Sequence, residues 1–208
     1  MVGSDLTRAM RFVLKWEGGF VDDPDDRGGR TNQGITQQVY DTWRRRQGRP
    51  VLDVKDIEQT EVHAIYENDY WRPAACDRLQ HPLQLAQFDT AVNMGIRRAV
   101  RVLQEAAGAA VDGSFGPATQ RACAVCDLGE TLRRYLTIRE GLYRRFAQAP
   151  GQAKFLKGWL NRLDDLRREL GLSALESAPG PIDPGDATGG GRARIPDLPQ
   201  GAPLEAWR

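Results

Sequence analysis

The chain has 208 residues, which allows one domain or two small ones. Its 29 lysines and arginines balance 28 aspartates and glutamates, so the net charge of +1 gives no electrostatic case for nucleic-acid binding. Hydrophobic residues make up 40% of the chain, and long helical patterns with few strand patterns predict a mainly α fold.

The amino-terminal segment does not have the pattern of a signal peptide. Charged residues interrupt residues 1–20, which therefore lack an apolar segment of the required length. No run of about 18 apolar residues occurs, so we expect no membrane insertion. We expect a protein that is synthesised in the cytoplasm without its own export signal.

The first predicted helix ends at Glu17. Apolar residues recur before it at helical spacing: Leu6, Met10, Val13, Leu14 and Trp16. Ser4 or Asp5 is the predicted N-cap, and Gly18 supplies the left-handed residue that ends a helix. The negative end of the helix dipole and the neighbouring aromatic residues favour a protonated carboxyl, which can donate a proton to a leaving group. The alternative is an ordinary, solvent-facing residue at a helix end.

A short polar lobe follows this helix. Its composition predicts a turn over Asp22–Gly29, flanked by short extended pieces, with Asp26 as a second carboxylate. A polar cluster comes next: Thr31, Asn32 and Gln33. A proton donor with a second group that holds water or stabilises positive charge is what glycosidic bond cleavage needs. The alternatives are a solvated turn or a calcium loop, for which Arg27 interrupts the ligand pattern.

Two further helices are predicted before residue 80. The first is short and contains Tyr40 and Trp43, with the arginines at 44–46 as a solvated face and Gly48 after its end. The second has Thr60 as its N-cap and runs to about Tyr70. Tyr70 and its aromatic neighbour either pack in the core or form a platform for a sugar ring.

A buried helix is predicted from Leu83 to Gly95, because small and apolar residues occupy most of its faces. Asp89 and Asn93 are four residues apart on one face, and polar groups inside a buried helix need partners. They either brace the core or line a cleft. The next predicted helix ends at Gly108.

The carboxyl-terminal half begins with a possible domain boundary over residues 108–117, where Pro117 suits the first position of a new helix. Two amphipathic helices are predicted at 130–146 and 153–170, and we expect them to pack back onto the preceding part. Residues 171–208 lose this periodicity, and Gly and Pro supply about a third of them, so a flexible tail is predicted.

Three cysteines allow two interpretations. Cys123 and Cys126 have the two-residue spacing of zinc and redox sites, and Cys76 with a histidine would complete a set of four ligands. No second paired motif exists, and free cysteine commonly packs as a small hydrophobic residue. We therefore predict packing roles, no metal and no cofactor.

Several strings in this order resemble glycoside hydrolase family 108, the muramidases. They are Glu17–Phe20, Asp22–Gly29, Thr31–Thr36, Tyr70–Trp71 and Phe88–Gly95, and Val111–Thr119 resembles the start of the peptidoglycan-binding-type module that follows in such proteins. The resemblance covers about residues 5–170. It implies that Glu17 is the catalytic acid, with roles for Asp26 and for Thr31, which falls one position earlier than the related pattern.

The resemblance implies a lysozyme-like helical fold with a hairpin lobe, divided into a catalytic region at 1–108, a peptidoglycan-binding-type module at 109–170 and the tail at 171–208. The expected substrate is the β-1,4 bond between N-acetylmuramic acid and N-acetylglucosamine in peptidoglycan. The candidate sugar contacts are Asn32, Gln33, Tyr70 and Asn93. We expect a monomer that reaches the periplasm through a holin, secretion machinery or cell lysis. A lytic transglycosylase and a non-catalytic wall-binding scaffold are the alternatives.

Overall fold

The computed structural model describes residues 2–22 and 30–172. Asp26 and nearly all of the predicted turn, like the predicted tail from residue 173 onward, lie outside the described residues. The described chain is mainly α-helical, as predicted. Its α-helices are α1 (Val2–Glu17), α2 (Gln37–Arg46), α3 (Gln59–Tyr66), α4 (Leu83–Met94), α5 (Ile96–Ala107), α6 (Pro117–Val125), α7 (Leu128–Phe146) and α8 (Leu156–Glu169), and its strands are β1 (Thr31–Asn32) and β2 (Ile35–Thr36).

Shorter helical turns complete the chain. A π-helical turn, Glu67–Trp71, continues α3, and single 3₁₀ turns lie at Val54–Asp56, Cys76–Arg78 and Ala153–Phe155. The predicted helix from residue 60 to residue 70 is therefore one helical stretch whose last turn is wider.

Helix α1 begins at Val2, so the predicted caps Ser4 and Asp5 lie inside the helix and the predicted start is wrong. Asp5 remains favourable there, because a carboxylate in the first turn complements the helix dipole. The end of the helix is as predicted: Gly18 follows Glu17 with φ of +80°.

The lobe after α1 consists of an isolated β-bridge and a short β-hairpin. Val21 pairs with Thr31 through two backbone hydrogen bonds of 2.8 and 3.0 Å, which confirms the extended pieces predicted on either side of the turn. Strands β1 and β2 then pair antiparallel, with Thr31 opposite Thr36. Gln33 and Gly34 connect the strands with φ values of 50° and 79°, the signs that a type I′ turn requires.

A buried ion pair between α2 and α3 shows that one of the arginines predicted to be solvated is buried. Arg44 is 8% exposed, and its Nη1 lies 2.7 Å from Glu61 Oε1 and 3.0 Å from the Tyr40 hydroxyl.

The predicted N-cap of α3 is also wrong. Glu58, not Thr60, caps α3, through a reciprocal arrangement with the third helical residue, Glu61. A carboxylate at the cap serves the same unpaired amides that a threonine would.

Helix α4 is the centre of the core, as its composition predicts. Phe88, Asp89 and Ala91 have no exposed surface, and α4 contacts α1, α5 and α7. Residues of α7 and α8, among them Tyr143 and Leu163, belong to the same hydrophobic cluster as α1 and α4. In the part of the chain that the structure describes, no helix is both long enough and apolar enough to cross a membrane.

Candidate active site

Glu17 is the last residue of α1, and its side chain is 22% exposed. Its carboxylate accepts a hydrogen bond at Oε1 from Arg162 Nη1 of α8, at 2.8 Å. Arg162 is not among the residues that the sequence analysis singled out. The carboxyl therefore has a charged partner on one side and solvent access on the other.

The β1–β2 hairpin lies against the end of α1 at Gly34. A methyl group added at Gly34 would lie 3.1 Å from Glu17 Oε2, a tight contact. It would lie 2.6 Å from the Tyr66 hydroxyl oxygen, which is too close for van der Waals packing. The Tyr66 hydroxyl donates to the Gln33 carbonyl at 2.8 Å and so fixes the hairpin turn beside Glu17. Burial raises the pKa of Tyr66 well above its ordinary value, and the charge of Glu17 raises it further, so this hydroxyl remains a donor.

Arg162 also binds Asp89 of α4. Its Nε and Nη2 lie 2.9 and 2.7 Å from Asp89 Oδ1, and Arg139 Nη1 of α7 lies 2.6 Å from Asp89 Oδ2. Burial alone would raise the pKa of Asp89, but the charges of Arg162 and Arg139 outweigh burial and lower it below its ordinary value. Asp89 is therefore an ionised group at the centre of the core.

The network continues from Arg139 to Asn93. Arg139 Nη2 donates to the Tyr143 hydroxyl at 2.8 Å, and that hydroxyl donates to Asn93 Oδ1 at 2.6 Å. Asn93 is 8% exposed, and its Nδ2 has no hydrogen-bond partner among the described residues. The face shared by Asp89 and Asn93 thus braces the core, while a sugar contact of Asn93 stays a prediction.

Comparisons with known proteins agree with this architecture. Residues 10–95 match the family model described as Glycosyl hydrolase 108, and residues 98–164 match that described as Predicted Peptidoglycan domain. The fold is similar to that of Brucella abortus SagA, with a TM-score of 0.68 and 31% sequence identity, over 86% of this chain and 100% of the SagA chain. The chain belongs to glycosyl hydrolase family 108. No curated protein matches it.

Membership of this family, together with the peptidoglycan-domain match, makes the protein a peptidoglycan hydrolase. Three of its predicted site residues, Thr31, Asn32 and Gln33, belong to the hairpin. Thr31 is 6% exposed in β1, and Asn32 Nδ2 donates to the carbonyls of Val54 and Lys55, both at 3.1 Å. Asn32 therefore connects the hairpin of the family 108 enzyme to the 3₁₀ turn at Val54–Asp56.

Tyr70 is connected to the surroundings of the Glu17 carboxyl through Tyr66. It packs on Tyr66 with ring centroids 5.6 Å apart, and Tyr66 in turn contacts the hairpin turn beside Glu17. Tyr70 is partly buried, whereas its neighbour Trp71 is 1% exposed and packs in the core. Of the two aromatic residues, Tyr70 is the one whose position suits a sugar contact.

The three cysteines differ in their burial. Cys76 and Cys123 are buried, as predicted, and Cys126 is partly exposed. Burial raises the pKa of the Cys123 thiol to about 11. Among the described residues, no group of three histidine, cysteine or acidic side chains is arranged to hold a metal ion.

The sequence contained a signal for the two missed arginines. Arg162 stands on the apolar stripe of α8, three residues after Trp159 and four before Leu166, and Arg139 stands on the buried face of α7. A charged residue at a core position needs a buried partner of opposite charge, and Asp89 was the available anion. Tyr66 gave no such signal, because a tyrosine on an apolar face is typical of an ordinary core.

Proposed function

We propose that this family 108 enzyme is an N-acetylmuramidase with Glu17 as its general acid. It hydrolyses the β-1,4 bond between N-acetylmuramic acid and N-acetylglucosamine. The observation that carries the proposal is the setting of Glu17: a carboxyl at the end of α1, bound by Arg162, facing the hairpin at Gly34 and 22% exposed.

In the proposed reaction, Glu17 protonates the glycosidic oxygen as the bond to the anomeric carbon breaks. The ring then carries positive charge, and Asp26 and Thr31 shield that charge or position the attacking water. Thr31 belongs to the same hairpin as Gly34, which supports its place near the reacting bond. The role of Asp26 rests on the family resemblance.

We also propose which residues contact the sugar and where the enzyme acts. Asn32, Gln33, Tyr70 and Asn93 are the proposed sugar contacts, with Tyr70 as the aromatic platform. We propose a monomer that acts on the wall from the periplasm, delivered by a holin or by secretion machinery.

The test is digestion of purified peptidoglycan, followed by borohydride reduction and mass spectrometry of the released fragments. Three proteins are compared: wild type, Glu17→Gln and the matched control Glu140→Gln. Glu140 is 25% exposed and is bound by Arg167 at 2.6 Å, so it resembles Glu17 in exposure and in having an arginine partner. A general acid contributes about 10²–10⁴-fold, so Glu17→Gln should lose at least about 100-fold in rate while Glu140→Gln keeps its rate.

The identity of the new chain ends separates the functions. Reduced N-acetylmuramic acid ends from wild type alone support a muramidase with Glu17 as acid. Ends of 1,6-anhydro sugar would establish a lytic transglycosylase. Reduced N-acetylglucosamine ends would show that the enzyme cleaves the other glycosidic bond of the glycan chain, on the reducing side of N-acetylglucosamine. Wall binding without any release would establish a scaffold. Release by Glu17→Gln at the wild-type rate would show that Glu17 is not the acid.

A further inference from the structure

We propose that Arg162 is a positioning residue for the catalytic carboxyl, so that the segment matched as a peptidoglycan domain completes the active site of the segment before it. The inference rests on the proposed function of Glu17 as the acid. It adds a role to residues 98–164 that a binding module would not have.

The guanidinium of Arg162 contacts two carboxylates at once. Nη1 donates to Glu17 Oε1 at 2.8 Å and Nε donates to Asp89 Oδ1 at 2.9 Å, while Nη2 lies 2.7 Å from the same Asp89 oxygen as an ion-pair contact. The planar fork of arginine can hold both carboxylates in fixed directions, whereas the single ammonium of a lysine cannot reproduce that geometry.

Burial restricts the positions that Arg162 can adopt. Its side chain is 3% exposed, Asp89 and Arg139 are fully buried, and Arg139 occupies the other oxygen of Asp89. The group therefore matches two arginines with two carboxyl groups. Rotation of the Arg162 guanidinium would also break its contacts with the buried Asp89, which is strongly unfavourable.

The anions and the cations of this group come from different segments of the chain. Both anions, Glu17 and Asp89, come from the segment at 10–95, and both cations, Arg139 and Arg162, come from the segment at 98–164. Of these four residues, each segment alone would supply charges of one sign. The two segments therefore form one catalytic unit, in which the second supplies the support for the acid of the first.

The arrangement also selects the oxygen that carries the proton. Arginine has only donors, so Oε1 of Glu17 accepts from Arg162 and cannot present a proton towards it. The proton that is transferred to the glycosidic oxygen consequently resides on Oε2. This oxygen lies on the Gly34 side, towards the hairpin lobe.

Arg162→Lys tests the proposal, with Arg168→Lys as the matched control on the same helix. Arg168 is 72% exposed and lies 3.8 Å from its ion-pair partner Asp165. Steady-state rates are measured on soluble glycan chains and divided by the folded fraction from circular dichroism. We expect kcat of Arg162→Lys to fall between about 10- and 100-fold with KM within about threefold, because misplacement of a reacting group by about 1 Å has an effect of that size. Arg168→Lys should match wild type.

The pH profile of kcat/KM separates positioning from mere stability. Altering the position of the cation beside the acid moves the limbs of the profile, whereas a loss of folded protein scales the whole profile without moving it. Asp89→Glu is the second variant, since it keeps the carboxylate charge but lengthens the side chain that holds Arg162. It should lower kcat at least tenfold even if Arg162→Lys does not fold.

Three outcomes are informative. Unchanged kcat per folded molecule in Arg162→Lys or in Asp89→Glu overturns the inference, as does a reduced rate whose pH profile keeps its position. If Glu17→Gln is inactive in the same assay, such a result removes only the role of Arg162. If Glu17→Gln instead retains the wild-type rate, the proposed function itself has failed.

Discussion

Gly34 decides how closely the hairpin approaches the acid. Its φ of +79° is a left-handed conformation that costs an alanine about 1–2 kcal/mol, and an added methyl group would also lie 2.6 Å from the Tyr66 hydroxyl oxygen. We expect Gly34→Ala to push Tyr66 or the hairpin away from Glu17 and to lower kcat at least about tenfold. The rate on soluble glycan chains and the melting temperature are the measurements.

Gly48→Ala is the matched control for that substitution. Gly48 has φ of +67° but no heavy atom within 4 Å of an added methyl group, so it shares the backbone strain without the collision. Backbone strain should lower the melting temperature of both variants by a similar amount. Only Gly34→Ala should also show a lower kcat. Equal turnover in the two variants would show that the hairpin need not approach Glu17 closely.

At the scale of elements, most helix ends could be predicted because their signals are local. Gly18, Gly95 and Gly108 each follow a helix at the predicted place, and Pro117 begins α6. The start of α1 and the cap of α3 were wrong by a few residues, since several side chains can serve the same amides. The Glu17–Arg162 contact joins residues 145 apart, and no local pattern specifies such a pair.

The contact between α1 and α8 supports a further prediction. Asp165 is 15% exposed and accepts from Lys15 at 2.7 Å and from Trp16 Nε1 at 3.0 Å, next to Glu17 in the chain. Asp165→Ala should destabilise the protein by about 1.5–3 kcal/mol, the range for hydrogen bonds to a charged group. Urea unfolding followed by circular dichroism measures the change.

The adjacent aspartate provides the control for Asp165→Ala. Asp164 is 58% exposed and pairs with Arg167 of its own helix, at 2.7 Å. Asp164→Ala should therefore change the free energy of unfolding by less than about 1 kcal/mol. If both alanine variants were equally stable, the bonds from Asp165 to α1 would not contribute to holding the end of that helix.

For the whole molecule, the buried charges around Asp89 determine how stability depends on pH. Arg162 and Arg139 lower the pKa of Asp89 below its ordinary value despite its burial. A carboxyl with a lowered folded pKa contributes its full stability above its unfolded pKa of about 4, and this contribution disappears as pH falls through the folded pKa. Asp89→Asn should destabilise the protein by about 3–5 kcal/mol at pH 7, because it leaves two buried arginines with one anion.

The same linkage predicts where that difference vanishes. The gap in unfolding free energy between wild type and Asp89→Asn should be constant from about pH 5 to 7. It should narrow below about pH 4, where this carboxyl takes up a proton in the unfolded chain before it does so in the folded protein. Urea titrations at several pH values measure the gap, with the exposed Asp164→Asn as the control that shows little difference throughout. A gap that stayed constant down to about pH 2 would mean that the pKa of Asp89 is the same in the folded and unfolded states, and the pairing of Asp89 with Arg162 and Arg139 that joins the two segments would have to be abandoned.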